Sequence, residues 1–110
     1  MVKLCLSYDA ITEYYKADIP FRVYLLKILV DNGATDIESF VKSTIYYATD
    51  ADMPLTYWAS ILEEHMDTGF FYTMAIVAKE QDGTYAIESL SKRAFRRNFK
   101  VDLIKAKKIL

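Results

Sequence analysis

Residues 53–88 read MPLTYWASILEEHMDTGFFYTMAIVAKEQDGTYAIE, and they join a helical pattern to a hairpin pattern. The helix is predicted to begin at Pro54 or Thr56, because proline fits only the first turn of a helix. Gly69 is the predicted stop. The residues that share one face of this helix are Trp58, Ile61, Leu62, His65 and Met66.

The second half of the same segment predicts a β-hairpin. Asp82-Gly83 suits a two-residue type I′ turn, in which both residues take a positive φ. That turn pairs Gln81 with Thr84 and places the apolar residues of both strands on one face. A one-residue slip would send them to opposite faces, so the pattern and the turn chemistry agree on the register.

Two further helices are predicted upstream. Pro20 opens the first, and Gly33 is placed for the left-handed residue that follows a helix C-cap. Thr35 and Glu38 then fit a capping box, in which each side chain satisfies the other's backbone donor. The helix that follows this box is expected to end near Ala48.

The first nineteen residues allow two interpretations. Residues 2–6 alternate between apolar and other side chains, as a short strand does. The rival is a helix, with Asp9 as the cap of a turn through Ile11, Tyr14 and Tyr15. We expect a short strand or extended arm, followed by that short helix.

Charge is divided unevenly along the chain. Residues 91–110 carry eight cations and one acid, for a net charge of +7, whereas residues 1–90 carry a net charge of −8. Such segregation is typical of an acidic body with a basic contact surface, although the tail lying against its own body is an alternative. Ser91 is a candidate N-cap for an amphipathic helix, and residues 99–103 also alternate as a strand would. The apolar stripe of that helix is Phe95, Phe99, Leu103, Ala106 and Leu110.

The order of three helices and a two-stranded hairpin over residues 20–89 resembles the winged helix-turn-helix superfamily. Residues 61–71 look like the end of a recognition helix that enters the wing through a glycine. The terminal helix is similar to the dimerisation helices of small winged-helix repressors, replication-terminator-type proteins and plasmid-partition adaptors. The predicted opening helix followed by Ile19-Pro20-Phe21 is similar to winged-helix domains of phage and plasmid replication proteins.

This resemblance implies an α+β fold, with a three-helix core and a two- to three-stranded hairpin wing. It divides the chain into an N-terminal arm or short helix at 1–19, a winged-helix domain at 20–89 and a basic C-terminal helix at 90–110. That last helix would serve dimerisation or nucleic-acid contact.

Residues 54–67 would then be the recognition helix, facing a major groove. No Lys or Arg lies between Lys42 and Lys79, so most phosphate contacts would have to come from the basic tail. Through the resemblance and the charge pattern, the expected DNA-binding residues are Thr56, Tyr57, Ser60, Lys79, Arg93, Arg96, Arg97 and Lys100.

Catalysis is not expected, because the single histidine, the single cysteine and three scattered glycines make no triad, metal site or phosphate loop. No cofactor and no metal are predicted. The expected function is a non-catalytic, cytoplasmic DNA-binding protein, a transcriptional regulator or a replication or partition accessory of a microbial or mobile element. It would bind double-stranded DNA as a homodimer and would not enter a membrane. The alternative is a protein–protein interaction module, an adaptor or inhibitor whose acidic helix face uses Tyr57, Glu63 and Glu64.

Overall fold

The structure, a computed structural model, describes residues 1–10, 14–15, 19–66 and 69–109. Six strands and three helices lie within those ranges. The strands are β1 (Val2–Ala10), β2 (Tyr14–Tyr15), β3 (Ile19–Pro20), β4 (Thr35–Glu38), β5 (Thr44–Thr49) and β6 (Phe70–Ile76). The helices are α1 (Phe21–Asp31), α2 (Pro54–His65) and α3 (Arg93–Lys108).

β1 is an inner strand of a four-stranded antiparallel sheet with the order β4-β5-β1-β6. It pairs with β5 through residues 2–7 and with β6 through residues 4–10. Successive strand residues point to opposite faces, and Leu4 and Leu6 are therefore buried together on one face. The strand predicted for residues 2–6 is confirmed and continues to Ala10. A separate two-stranded ladder joins β2 to β3.

α1 packs against the sheet on one side and against α3 on the other. The Phe21 ring lies 6.0 Å from the Tyr8 ring of β1 and 5.6 Å from the Phe70 ring of β6. Its neighbour Arg22 points to α3, where it contacts Asp102. Because α1 is enclosed in this way, six of its eleven residues are buried.

α2 contributes the largest buried side chain. Trp58 is fully buried, and its indole N–H donates a hydrogen bond to Thr49 Oγ1 at 3.0 Å. The edge of the ring meets Tyr47 of β5 at a centroid distance of 4.9 Å. One hydrophobic core thus joins the sheet to all three helices, with Phe99 and Ala106 as the buried contribution of α3.

The predicted winged helix-turn-helix, with its three-helix core and wing, is wrong. Residues 35–48, predicted as a helix, form β4 and β5. The sequence of β5 is rich in β-branched and aromatic residues, and its alternate residues Ile45 and Tyr47 are buried against β1. Asp36 and Ser43 have φ of 48° and 67°, which no helix tolerates. The capping box is absent as well, because the Glu38 carboxylate accepts from Lys3 Nζ at 2.6 Å.

The predicted wing is also wrong in its pairing, since β6 pairs with β1 instead of with residues 85–89. Only the tip of the hairpin forms. There Lys79 bridges Tyr85, and the Glu80 N–H donates to the Thr84 carbonyl at 2.7 Å. This pairing leaves residues 81–83 as a three-residue loop, so the register is shifted by one from the predicted pairing of Gln81 with Thr84. Of Asp82 and Gly83, Gly83 alone has a positive φ, 87°, whereas the predicted type I′ turn needs both.

Other local predictions are confirmed. α1 begins directly after Pro20, and Gly33 follows it with φ 100°. α2 begins at Pro54, although it ends at His65 with an extended Met66 and not at Gly69. α3 is continuous through residues 99–103, which excludes the strand alternative there.

Three predictions touch residues that the structure leaves undescribed. The helical turn after Asp9 is wrong for Tyr14–Tyr15, which form β2, while Ile11 lies outside the described residues. Asp67, the predicted end of the recognition helix, and Leu110 also lie outside them.

Candidate nucleic-acid interface

The apolar side of α3 is used within the chain. Phe99 and Ala106 are buried, and Phe95 and Leu103 pack against the same core as partly buried residues. α1 is the principal neighbour of α3. The described part of the stripe that suggested a dimerisation helix is therefore occupied within the chain, mainly by α1.

An ion pair fixes α3 to α1. Arg22 Nε and Nη2 lie 2.7 Å and 2.6 Å from Asp102 Oδ2, and both side chains are largely shielded from solvent. The guanidinium also lies over the Phe95 and Phe99 rings, 5.3 Å and 5.6 Å from their centroids. Asp102 is the one acid of α3, so its neutralisation by Arg22 leaves only cations on the rest of the helix.

Four of those cations form a basic face on the N-terminal half of α3. Their spacing of three, four and seven residues places them on one side of the helix, and all four are exposed. They line one shallow cavity of about 320 Å³. No carboxylate of the described residues lies within ion-pair distance of them. The basic face consists of Arg93, Arg96, Arg97 and Lys100.

The start of α3 adds to this positive potential. Its first turn holds no acid, and no side chain caps its exposed backbone N–H groups. A helix N-terminus carries about half a positive charge, so Arg93 and Arg96 stand at the end of the helix that repels cations. An anion bound there would relieve the repulsion and accept from the free N–H groups.

The residues of α2 that were predicted to bind DNA lie in surroundings that differ from those of the basic face. Thr56 and Tyr57 line a cleft of about 630 Å³ together with the acids Asp50 and Asp52. The Tyr57 hydroxyl donates to the Asn32 carbonyl at 2.9 Å, so it is already engaged. Negative charge in this cleft opposes contact with phosphate.

The remaining candidates are Ser60 and Lys79. Ser60 is exposed on α2, in the part of the chain that lacks cations. Lys79 lies near the hairpin tip with its ammonium 5.3 Å from the centre of the Tyr85 ring. The same tip holds Asp82, whose pKa is lowered because it accepts from the Thr84 side chain and backbone N–H. The structure thus groups the four α3 candidates in one cavity and Thr56 with Tyr57 in another.

The resolved pKa shifts leave each group in its ordinary state at neutral pH. Burial, more than any neighbouring charge, raises the pKa of Tyr8, Tyr47 and Tyr72, so these phenols stay protonated. Hydrogen bonds lower the pKa of Asp82, so it stays ionised. Within the described ranges, no group of three His, Cys, Asp or Glu side chains has the geometry to hold a metal.

The comparisons with known proteins provide no relative whose role could be compared with this geometry. No family model, no characterised protein and no solved structure matches the chain. Over the described residues, no helix has the length and apolarity needed to cross a bilayer.

Sequence reasoning missed the ion pair that positions α3. Arg22 and Asp102 are 80 residues apart, and no local pattern links positions so distant. One signal was available: Arg22 and Lys27 are the two basic residues in the apolar sequence of α1. A charge inside an otherwise buried helix indicates a partner of opposite sign.

Proposed function

We propose that this protein binds double-stranded DNA, without catalysis, through the basic face of α3. The observation that carries the proposal is the cavity lined only by Arg93, Arg96, Arg97 and Lys100. Four exposed cations on one helix face, without a carboxylate partner among the described residues, create a local positive potential that attracts an anion.

The dimensions of α3 suit a duplex. Its 16 residues span about 24 Å, and its packing on α1 leaves the opposite side exposed along this length. The major groove is about 12 Å wide and admits a helix. Three exposed lysines, Lys105, Lys107 and Lys108, extend the positive charge to the C-terminal end.

The affinity of such a surface comes mainly from phosphates. Each phosphate that a cation neutralises releases condensed counterions, which favours binding at low salt. Arginine adds a second mode, because its guanidinium can donate two parallel hydrogen bonds to a phosphate or to guanine O6 and N7. Three arginines in this face therefore fit DNA better than a lysine patch would.

The biological role within this proposal is regulation by occupancy. A protein that covers a duplex site blocks competing proteins there, which serves transcriptional regulation or a replication or partition accessory role. Cytoplasmic location belongs to the same proposal. So does a homodimer, whose interface would have to lie elsewhere than the apolar stripe that α1 already covers.

Fluorescence anisotropy with a short labelled duplex of random sequence tests the proposal. The variant R93A/R96A/R97A should bind the duplex much more weakly, because three of the four cations of the cavity are gone. The charge-matched control K27A/K42A/K79A removes three cations outside α3 and should retain binding. Equal losses in the two variants, or full binding by the arginine variant, would contradict a site on α3.

A second candidate is a protein-interaction module, favoured by the cleft beside α2. Asp50 and Asp52 share that cleft with Tyr57, and Met53 lines it as an exposed apolar residue. Acids beside an exposed apolar side chain suit a basic, amphipathic peptide. This candidate predicts capture of an arginine- and leucine-rich peptide that D50N/D52N abolishes, and no binding of duplex DNA.

A further inference from the structure

β6 forms an open edge of the sheet, and among the described residues β1 is its only neighbouring strand. Its seven residues, FFYTMAI, include no charge, no proline and no glycine. Phe71 and Ile76 are large apolar side chains that are 61% and 52% exposed. Long, apolar edges of this kind pair readily with another strand.

The register with β1 identifies which main-chain groups are open. The Val77 N–H donates to the Lys3 carbonyl at 2.9 Å, so Val77 bonds toward β1. In an antiparallel ladder the bonding direction alternates, which turns Phe71, Thr73 and Ala75 toward β1 as well. Among the described residues, nothing hydrogen-bonds the outward main-chain groups of the alternate positions. Those positions are Phe70, Tyr72, Met74 and Ile76.

The other edge of the same sheet is protected. β4 has four residues, includes Asp36 and Glu38, and pairs with β5 through an irregular register. Asp36 also has a positive φ, 48°, which breaks the extended backbone. Short length, charge and a bulge are the features that keep edge strands from pairing. β6 has none of the three.

We propose that β6 is a homodimer interface, at which two copies pair antiparallel about a twofold axis through Thr73. The sheets of the two copies then become one continuous sheet. Tyr72 lies opposite Met74 of the partner subunit, and Phe70 lies opposite Ile76 of the partner subunit. This register uses every outward position of β6 and forms about eight main-chain hydrogen bonds.

Side-chain size and charge favour a second copy as the partner. On one face Phe71 meets the small Ala75 of the partner subunit, and on the other Ile76 meets Phe70 of the partner subunit, an aromatic and β-branched pair. The two large apolar side chains of β6 that are exposed, Phe71 and Ile76, are covered in this way. At the twofold axis Thr73 lies opposite Thr73 of the partner subunit. Because threonine is uncharged, the two side chains do not repel each other.

The interface is independent of the DNA proposal. α3 packs on α1, and the basic face is no part of β6. A monomeric protein would remove the homodimer from the proposed function but leave DNA contact through α3 in place, and a loss of DNA binding would leave the β6 interface in place. If both hold, the dimer presents two copies of α3 to one duplex.

Sedimentation equilibrium tests the dimer through charges placed on the axis. The wild type should sediment at twice the monomer mass, and T73K and T73E should each be monomeric, because like charges then face each other. An equal mixture of T73K and T73E should recover the dimer mass. T35K makes the same substitution on β4 and should remain dimeric.

A wild type that is monomeric at tens of micromolar would overturn the proposal. So would a dimeric T73K, or two variants that stay monomeric when mixed. Hydrogen exchange of the wild type needs no substitution: protection of the Tyr72 and Met74 amides should rise with protein concentration. Fast exchange of both amides at every concentration would also overturn it.

Discussion

α2 and α3 are both surface helices with one face on the core, yet their outer faces carry opposite charge. α2 exposes Glu63 and Glu64, and its N-terminal end adjoins the cleft of Asp50 and Asp52. α3 exposes seven cations, and its single acid is paired with Arg22. The difference teaches that the order of the helices does not indicate which of them exposes the positive charge that the proposed DNA contact requires.

The largest expected effect concerns the inner face of α2. Trp58→Ala should lower the free energy of unfolding by about 3–5 kcal/mol, because the indole is fully buried and its removal leaves a cavity. Urea denaturation measures this change. Tyr57→Ala, at the neighbouring exposed position, should cost much less. Similar costs for the two substitutions would contradict the assignment of α2 to the core.

The next effect concerns the attachment of α3. Asp102→Ala leaves Arg22 partly buried without its partner and should cost about 1.5–3 kcal/mol in the free energy of unfolding. Asp31→Ala breaks the exposed i,i+4 pair with Lys27 and should cost roughly 0.3–0.5 kcal/mol. Thermal unfolding of the two variants provides the comparison. An equal decrease would mean that the Arg22 pair contributes no more than a surface pair.

The smallest effect concerns the outer face of α2. E63Q/E64Q removes two negative charges and should change duplex affinity by no more than about threefold, since these residues lie outside the basic face. Anisotropy titration at physiological salt checks it. A gain of orders of magnitude would place DNA against α2 and remove the contrast between the helices.

Local signals predicted the elements that local chemistry controls. Pro20 and Gly33 bound α1, and Pro54 starts α2, because each residue acts on its own backbone. The amphipathic pattern predicted α3, although Leu110 falls outside the described residues.

Long-range pairing explains what the sequence did not predict. Ile37, Phe40, Val41 and Ile45 recur at helical spacing, but Ile45 and Tyr47 also alternate, and burial against β1 selects the strand. The same explanation applies to residues 70–76. Their predicted hairpin partner was near in sequence, whereas the β1 residues with which they pair are sixty or more residues away. The choice between two periodic patterns depends on a partner that a local window does not contain.

The candidate site was predictable from the sequence only in part. The net charge of residues 91–110 indicated the cations of α3 without any structure. The resemblance, by contrast, directed attention to Thr56, Tyr57 and Ser60, and two of these line an acidic cleft.

The salt dependence of duplex binding tests the account most directly. The logarithm of the affinity should fall with the logarithm of the salt concentration, with a slope of roughly −3 to −4 if the four cations of the basic face each neutralise a phosphate. R93A/R96A/R97A should reduce the magnitude of that slope by about 2.7. A flat dependence, or a slope that the triple variant leaves unchanged, would contradict binding through α3.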